Sequence, residues 1–165
     1  MKTNNIASYS DVLVTCMRQN PIWILLSEVR SAEAVMAVRN SISSGHHIIS
    51  TIHSDKAALI PMRMYSLIES NIDVEQFVTT IHRYVQIGIY VKGYMSAKLG
   101  RFQREIMEIC EFYVDDTIYQ KTLDGNFTLN NPTKYLRSYL AIQGVILDED
   151  LFHLNGQNQD SIETL

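Results

Sequence analysis

The sequence is poor in the residues that mark several specialised classes of protein. It has two cysteines, Cys16 and Cys110, which are too few for a disulfide framework, so a reducing cytosol is expected. Its 7 glycines and 3 prolines exclude a collagen-like or Pro/Gly-rich chain. The apolar run at residues 22–26 is far shorter than the roughly 18 residues of a transmembrane helix, so no membrane span is expected. The polar residues 1–5 lead into no apolar signal-peptide region.

The overall composition is typical of an ordinary folded domain. Of the 165 residues, 46% are hydrophobic and 19% are charged, which allows a sizeable core. The net charge of -4 is too small to favour a disordered chain. The same charge, with a pI of about 5.7, gives the chain as a whole no attraction for nucleic acid or an anionic membrane.

The chain opens with a pattern typical of a helix followed by a buried strand. Residues 9–19 predict a short helix that Ser10 or Asp11 caps. Pro21 ends this helix, because the residue before a proline disfavours helical backbone angles. Residues 22–27 are apolar without alternation, which predicts a strand buried on both faces, as in a parallel sheet.

A second helix and strand complete a βαβ pattern. Ser31 is expected to cap a helix that runs to about Ser43, and Gly45 is expected to end it. Residues 47–52 predict a second short strand, so the two strands should be parallel with a right-handed crossover. The helix should bury one stripe of apolar residues: Ala34, Val35, Val38 and Ile42.

The middle of the chain predicts two further helices. Asp55 is expected to cap the first, which Pro61 should kink or split. Asp73 and Gln76 have the spacing of a capping box at the start of the second. The buried face of that second helix is predicted to contain Val74, Phe77, Val78 and Ile81.

From residue 85 the apolar pattern changes to a period of two, which predicts strands. Residues 85–91 and 104–114 are the two long segments, and residues 118–129 predict a hairpin around Asp124 and Gly125. Asn131 and Pro132 should start a last helix whose inward side chains are Tyr135, Leu136, Tyr139 and Leu140. Residues 151–165 are expected to be an acidic, disordered tail after a structured region at residues 1–150.

The first predicted strand is followed by a carboxylate in a position suited to chemistry. Glu28 comes directly after the apolar run, and ligands of open α/β sheets bind outside the carboxyl ends of the strands. A glutamate there can orient a water for attack on phosphate or hold a hydrated magnesium ion. The alternative is that Glu28 simply marks the exit of the strand into solvent.

Two histidines flank the second predicted strand. In a βαβ unit this strand ends beside the first, so Thr51 and His53 can lie near Glu28, where a histidine can stabilise a terminal phosphate. The alternative is that each histidine has a purely structural role. A zinc site is a third possibility, but His46 and His53 are seven residues apart and would point to opposite faces of a strand.

These segments together resemble a known family. Residues 18–30 and 45–55 resemble the Walker B strand and histidine box of the type II/type IV secretion ATPase superfamily, in the branch of tight-adherence pili and conjugation. The resemblance implies an α/β fold: a partial RecA-like P-loop NTPase core (βαβ with Walker B and histidine box), then a β-hairpin and a helical region. It also implies ATP and magnesium as cofactors.

The family assigns roles to particular residues. By resemblance, Glu28 acts at the attacking water and, through water, at magnesium, and His53 is a second catalytic residue. His46, Thr51 and Arg30 are the implied nucleotide-binding residues. One departure is Ser27, where the family usually has glycine before the Walker B glutamate.

The larger departure is that the 165 residues contain no phosphate-binding loop of the form Gly-x-x-x-x-Gly-Lys-[Ser/Thr]. The sequence therefore resembles the carboxy-terminal half of a secretion ATPase. The expected function is ATP hydrolysis that powers secretion, pilus assembly or conjugative transfer once a chain with the missing amino-terminal half completes the site. The alternative is a non-catalytic assembly or regulatory module that docks into a parent ATPase ring.

The resemblance also implies partners and a location. The chain is expected to self-associate or to bind the chain with the missing half, and to serve a hexameric ring at a secretion or pilus membrane platform. The expected location is cytoplasmic, at the inner face of the cell membrane. No direct nucleic-acid partner is expected, because the sequence has no basic-aromatic stripe.

Overall fold

A computed structural model describes residues 8–68 and 71–147 and has a mixed α/β fold. The chain divides into two compact units. The first consists of Met1–Ser54 and Leu59–Val85, and the second of Asp55–Ala58 and Gln86–Leu165. Predictions for residues 151–165 lie outside the described residues. Within the described ranges, no helix is long and apolar enough to cross a membrane.

The first unit contains the predicted βαβ arrangement. Its elements are α1 (Tyr9–Arg18), β1 (Trp23–Leu26), α2 (Ala32–Ser43), β2 (His47–Ser50), α3 (Ile60–Tyr65) and α4 (Val74–Tyr84). Strands β1 and β2 pair in parallel, with Trp23 opposite His47 and Leu26 opposite Ser50. The Ser31 side chain accepts a hydrogen bond from the Ala34 amide, which confirms the predicted cap of α2.

Helices α1 and α2 cover one face of this two-stranded sheet. The predicted stripe of α2 is buried, and Ala37 also packs in a core cluster with Leu13 and Ile24. Three partly buried side chains pack against that cluster: Met17, Leu26 and Ile48. Apolar contacts of this kind hold β1 and β2 to the helices, because each buried aliphatic side chain contributes about 1.5–3 kcal/mol.

The opposite face of the sheet is exposed, which corrects the prediction of a strand buried on both faces. Leu25 is 74% exposed and its cross-strand partner Ile49 is 54% exposed. Ile22 and Trp23 are exposed on the same segment. Helices cover both faces of most parallel sheets, whereas α1 and α2 cover only the Ile24 face of β1 and β2, so the Leu25 and Ile49 face is exposed among the described residues.

Two helix starts also differ from the prediction. Ser8, not Ser10 or Asp11, caps α1, and Asp11 completes a reciprocal capping box with it. Asp55 does not cap α3, which begins at Ile60 without a side-chain cap. Pro61 lies in the first turn of α3, where its missing N–H costs nothing, so it starts the helix instead of kinking it.

Helix α4 follows its prediction more closely. The Asp73 carboxylate accepts a hydrogen bond from the Gln76 amide at the start of the helix. Phe77 and Ile81 are fully buried, whereas Val74 is exposed.

The second unit is built on an antiparallel sheet. Its elements are β3 (Ile87–Ser96), β4 (Arg101–Glu111), β5 (Asp116–Lys121), β6 (Phe127–Leu129) and α5 (Lys134–Ile142). The strand order is β3-β4-β5-β6, and β5 and β6 form the predicted hairpin. The predicted alternation along β3 is confirmed, since Ile87, Ile89 and Val91 share an exposed face.

The buried side of β3 makes room for an aromatic ring. Gly88 is buried, and a Cβ at this position would lie 2.3 Å from the ring of Phe112. Phe112 is itself only 1% exposed. Glycine is therefore required here by close packing.

Helix α5 is tied to β4 through a buried carboxylate. Glu111 is 1% exposed and accepts hydrogen bonds from the Thr133 hydroxyl and, at 3.0 Å, from the Thr133 amide. The Thr133 hydroxyl also caps α5 by accepting from the Leu136 amide. Of the side chains predicted to face inward, Leu136 is buried, whereas Tyr135 is 41% exposed and stacks on Tyr113.

Replacing Thr133 with valine should destabilise the protein by about 1–3 kcal/mol, because a buried glutamate loses a donor and α5 loses its cap. Chemical denaturation measures this loss. The matched control is Thr133→Ser, which keeps the hydroxyl and should lose much less. Equal losses in the two variants would contradict this account of α5.

The exposed face of β1 and β2 should make the 165-residue chain associate at tens of micromolar. Light scattering across a dilution series measures this, and Trp23, the single tryptophan, should shift its emission to shorter wavelength as association proceeds. Leu25→Thr/Ile49→Thr should weaken association. The matched control is Leu123→Thr/Ile142→Thr, which removes two exposed apolar side chains elsewhere. A monomeric unmodified chain would contradict the prediction.

Candidate functional site

The segments that follow β1 and β2 are joined by two hydrogen bonds. The Thr51 hydroxyl donates to the Ser27 carbonyl over 2.5 Å. The Val29 amide donates to the Thr51 carbonyl over 2.8 Å. These two bonds join the chain segments beyond the last paired residues of β1 and β2, and they fix the backbone on both sides of Glu28.

Glu28 contacts two basic side chains at this end of the sheet. Its Oε2 lies 2.5 Å from Nη2 of Arg30, and its Oε1 lies 3.1 Å from Nε2 of His53. The Arg30 and His53 side chains are 73% and 87% exposed, whereas that of Glu28 is 23% exposed. The three residues form a group, here called the Glu28 site, with the carboxylate at its base and the basic groups facing solvent.

Charge and hydrogen bonding keep Glu28 ionised. The hydrogen bond from Arg30 is the largest effect and lowers the pKa of Glu28 below its ordinary value, against a smaller rise from desolvation. The charges of Arg30 and His53 lower the pKa further. The same contact raises the pKa of Arg30. At neutral pH the site thus contains a carboxylate that can accept hydrogen bonds but cannot donate them.

One oxygen of this carboxylate is left without a hydrogen bond. Oε1 of Glu28 is buried and has no hydrogen-bond partner, although His53 lies within ion-pair distance of it. A buried carboxylate oxygen of this kind suits a water molecule or a hydrated Mg²⁺ ion. Among the described residues, no group of three or more His, Cys, Asp or Glu side chains can hold a metal directly.

The predicted site residues do not all lie together. Thr51 is at the Glu28 site, but its hydroxyl proton is committed to Ser27, so it positions the backbone. His46 lies at the other end of β2, where its Nδ1 is 2.9 Å from the Pro21 carbonyl oxygen. The structure thus groups Glu28, Arg30, Thr51 and His53, and it places His46 apart from them.

Two further residues near the site were not predicted. Arg63 of α3 donates from Nε to the His53 carbonyl oxygen over 3.2 Å and so holds the backbone of that histidine. The Ser50 hydroxyl, at the end of β2, is buried and has no hydrogen-bond partner. Pro61 is a signal for a helix start, and a helix predicted to start there would have included Arg63. No pattern in the sequence marks the environment of Ser50.

Comparison with known proteins identifies similar sequences over much of the chain. The sequence profile of the family described as "Type II/IV secretion system protein" matches residues 2–99. An uncharacterized protein of Bacillus anthracis is 28% identical over 143 residues. That match covers 79% of this chain and 32% of the relative.

Solved structures share the fold. The ATPase DotB of Legionella pneumophila matches with a TM-score of 0.56 and 17% identity over 92% of this chain and 36% of that one. The ATPase DotB of Yersinia pseudotuberculosis matches with a TM-score of 0.55 and 15% identity over 64% of this chain and 26% of that one. The chain therefore spans between 26% and 36% of the length of these proteins.

Replacing Arg30 with glutamine should raise the pKa of Glu28, because Arg30 is the largest cause of its lowering. A carboxyl-carbon NMR titration measures this change. In the unmodified protein, the interaction of Glu28 with Arg30 stabilises the fold at pH values above the ordinary glutamate pKa. This stabilisation is lost as the pH falls through the lowered pKa of Glu28. Asp124 is the internal control, since its low pKa arises mainly from Thr122. An unchanged Glu28 pKa in the variant would contradict the assignment.

Proposed function

This chain belongs to the type II/IV secretion system protein family, and from that premise we propose that it is the carboxy-terminal part of a secretion ATPase. In this proposal, the parent enzyme hydrolyses ATP to drive protein secretion, pilus assembly or conjugative transfer, in the branch of tight-adherence pili and conjugation. The βαβ arrangement of β1, α2 and β2 is part of a RecA-like core, with β1 as its Walker B strand and β2 within its histidine box.

The observation that carries the proposal is the Glu28 site. An ionised carboxylate lies at the carboxyl end of a parallel strand, and its buried oxygen Oε1 has no hydrogen bond. Ligands of α/β sheets bind at this end of the strands. Two basic side chains beside the carboxylate complete a group suited to a phosphate and a water molecule.

Each residue of the site has a proposed role. Glu28 orients and accepts a proton from the attacking water, and it holds Mg²⁺ through water. The magnesium ion, when bound with ATP, supplies charge neutralisation at the phosphates. Arg30 and His53 face solvent, where they are available to phosphate oxygens, while Thr51 and Arg63 hold the backbone of the site in place. His46 is proposed to act at a different part of the nucleotide or at a subunit contact.

The proposal requires a phosphate-binding loop from another segment or another chain. Backbone amides and a lysine in such a loop supply most of the contacts to a nucleotide triphosphate. The 165 residues contain no sequence of this form, and the chain spans about a third of its relatives. We propose that the segment with the loop adds its strands at an edge of the β1–β2 sheet and covers the exposed face.

The assembled enzyme is proposed to work in the cytoplasm. It would form a hexameric ring at the inner face of the membrane, on a secretion or pilus platform. Its family membership supports this placement.

The 165-residue chain should bind Mg-ATP more weakly than low micromolar, and isothermal calorimetry measures this. Adding a chain that carries the loop and its strands should restore hydrolysis, which a phosphate-release assay detects. In that complex, Glu28→Gln should lower the rate by at least about 100-fold, because an amide cannot take the proton of water. Nucleotide binding should change little.

The matched control is Glu33→Gln, the same substitution on the exposed first turn of α2. It should leave the restored rate unchanged. Hydrolysis by the Glu28→Gln complex at the unmodified rate would contradict the role of Glu28. Tight assembly without hydrolysis would instead favour the alternative, a non-catalytic module that docks into a parent ring.

A further inference from the structure

Strands β3 and β4 extend beyond the rest of their sheet as a two-stranded ribbon. Strand β5 pairs with β4 only at Glu108–Glu111, whereas β3 and β4 remain paired as far as Ser96 and Arg101. A turn at residues 97–100 closes the ribbon. Ser96 fixes this turn: its carbonyl accepts from the Gly100 amide over 2.9 Å, and its hydroxyl accepts from the Leu99 amide over 3.2 Å. We call residues 92–104 the ribbon tip.

Positive charge is concentrated at the ribbon tip. Residues 92–104 contain four cationic side chains and no aspartate or glutamate, although the chain as a whole carries a net charge of -4. The cations are Lys92, Lys98, Arg101 and Arg104. In the part of the chain that the structure describes, none of them forms an ion pair with a carboxylate. The tip is thus a cationic site on an acidic protein.

Large apolar side chains lie beside these cations. Met95 is 69% exposed and its cross-strand partner Phe102 is 53% exposed. Leu99, in the turn itself, is 54% exposed. The Arg104 guanidinium lies 5.0 Å from the centre of the Phe102 ring, which also covers Gly93. Exposed apolar groups of this size, together with flanking cations, mark an interaction surface.

We propose that the ribbon tip binds the surface of an anionic lipid bilayer. Lipid phosphates attract lysine and arginine, and the interfacial region of a bilayer accepts apolar side chains. The apolar groups stand at the end of a ribbon, so a deformable bilayer surface can receive them without a complementary groove. The proposal rests on the ribbon tip alone and not on the nucleotide chemistry of the Glu28 site, so either can fail without the other.

The expected strength follows from the number of cations. Each lysine or arginine near an anionic surface strengthens binding by about 1 kcal/mol, or roughly fivefold. The electrostatic part should weaken with added salt, because salt screens exposed charges. The apolar part should persist in salt, since it depends on insertion of Met95, Leu99 and Phe102.

Vesicle co-sedimentation of the 165-residue chain tests the proposal. The protein should bind vesicles that contain phosphatidylcholine and about 30% phosphatidylglycerol, and it should bind phosphatidylcholine vesicles much less. Lys98→Gln/Arg101→Gln should weaken binding by about 30-fold. The matched control is Arg18→Gln/Lys134→Gln, which removes two exposed cations elsewhere and should change binding little. Circular dichroism verifies that each variant is folded.

Insertion is tested with a fluorescent reporter at the tip. In a Trp23→Phe background, Leu99→Trp should shift its emission to shorter wavelength on anionic vesicles and should remain shifted in high salt. An unchanged emission wavelength of the Leu99→Trp variant on anionic vesicles would overturn the proposed insertion of the ribbon tip. Equal vesicle binding by the Lys98→Gln/Arg101→Gln variant and the control double variant would overturn the ribbon tip as the binding site. Tighter binding to polyglutamate or to DNA than to anionic vesicles would overturn the lipid assignment in favour of an acidic protein or a nucleic acid.

Discussion

The candidate site depends on the parallel pairing of β1 and β2 and on two hydrogen bonds just beyond the strand ends. Glu28 and His53 are 25 residues apart in sequence. They meet because both strands run in one direction and the two hydrogen bonds of Thr51 hold the following segments together. Parallel strands need a crossover connection, and helix α2, with its Ser31 cap and buried apolar stripe, provides it between β1 and β2.

Glu28 in the first unit and Glu111 in the second have different hydrogen-bond environments. In the first unit, Glu28 keeps a buried oxygen without a hydrogen bond while basic side chains hold it ionised. In the second unit, Glu111 has hydrogen-bond donors for both oxygens and ties α5 to the sheet. A fully satisfied buried carboxylate stabilises a fold, whereas an incompletely satisfied one is available to a ligand. This difference directs the functional proposal to Glu28.

Much of the local structure was predictable because it depends on neighbouring residues. The caps at Ser31 and Asp73 and the β5–β6 hairpin were predicted because capping and turn residues are recognisable in the sequence itself. The meeting of Glu28 with His53 also followed, since parallel strands end at one edge. The exposure of Leu25 was not predictable, because a sequence does not state which faces of a sheet are covered by helices. The position of His46 at the opposite end of β2 from His53 was predictable, since the two histidines flank the predicted strand. Pro61 misled the prediction since proline both starts and breaks helices.

The hydrogen bond between Val29 and Thr51 has a consequence for motion. Val29 is 4% exposed, and its amide is bonded although it lies outside any strand. Hydrogen exchange at this amide requires that bond to open, so the exchange rate reports how often the backbone beside Glu28 separates from β2. Glu28 therefore lies on a segment that can move only when this bond to the segment after β2 breaks. Slow hydrogen exchange at the Val29 amide would indicate that the site is preorganised.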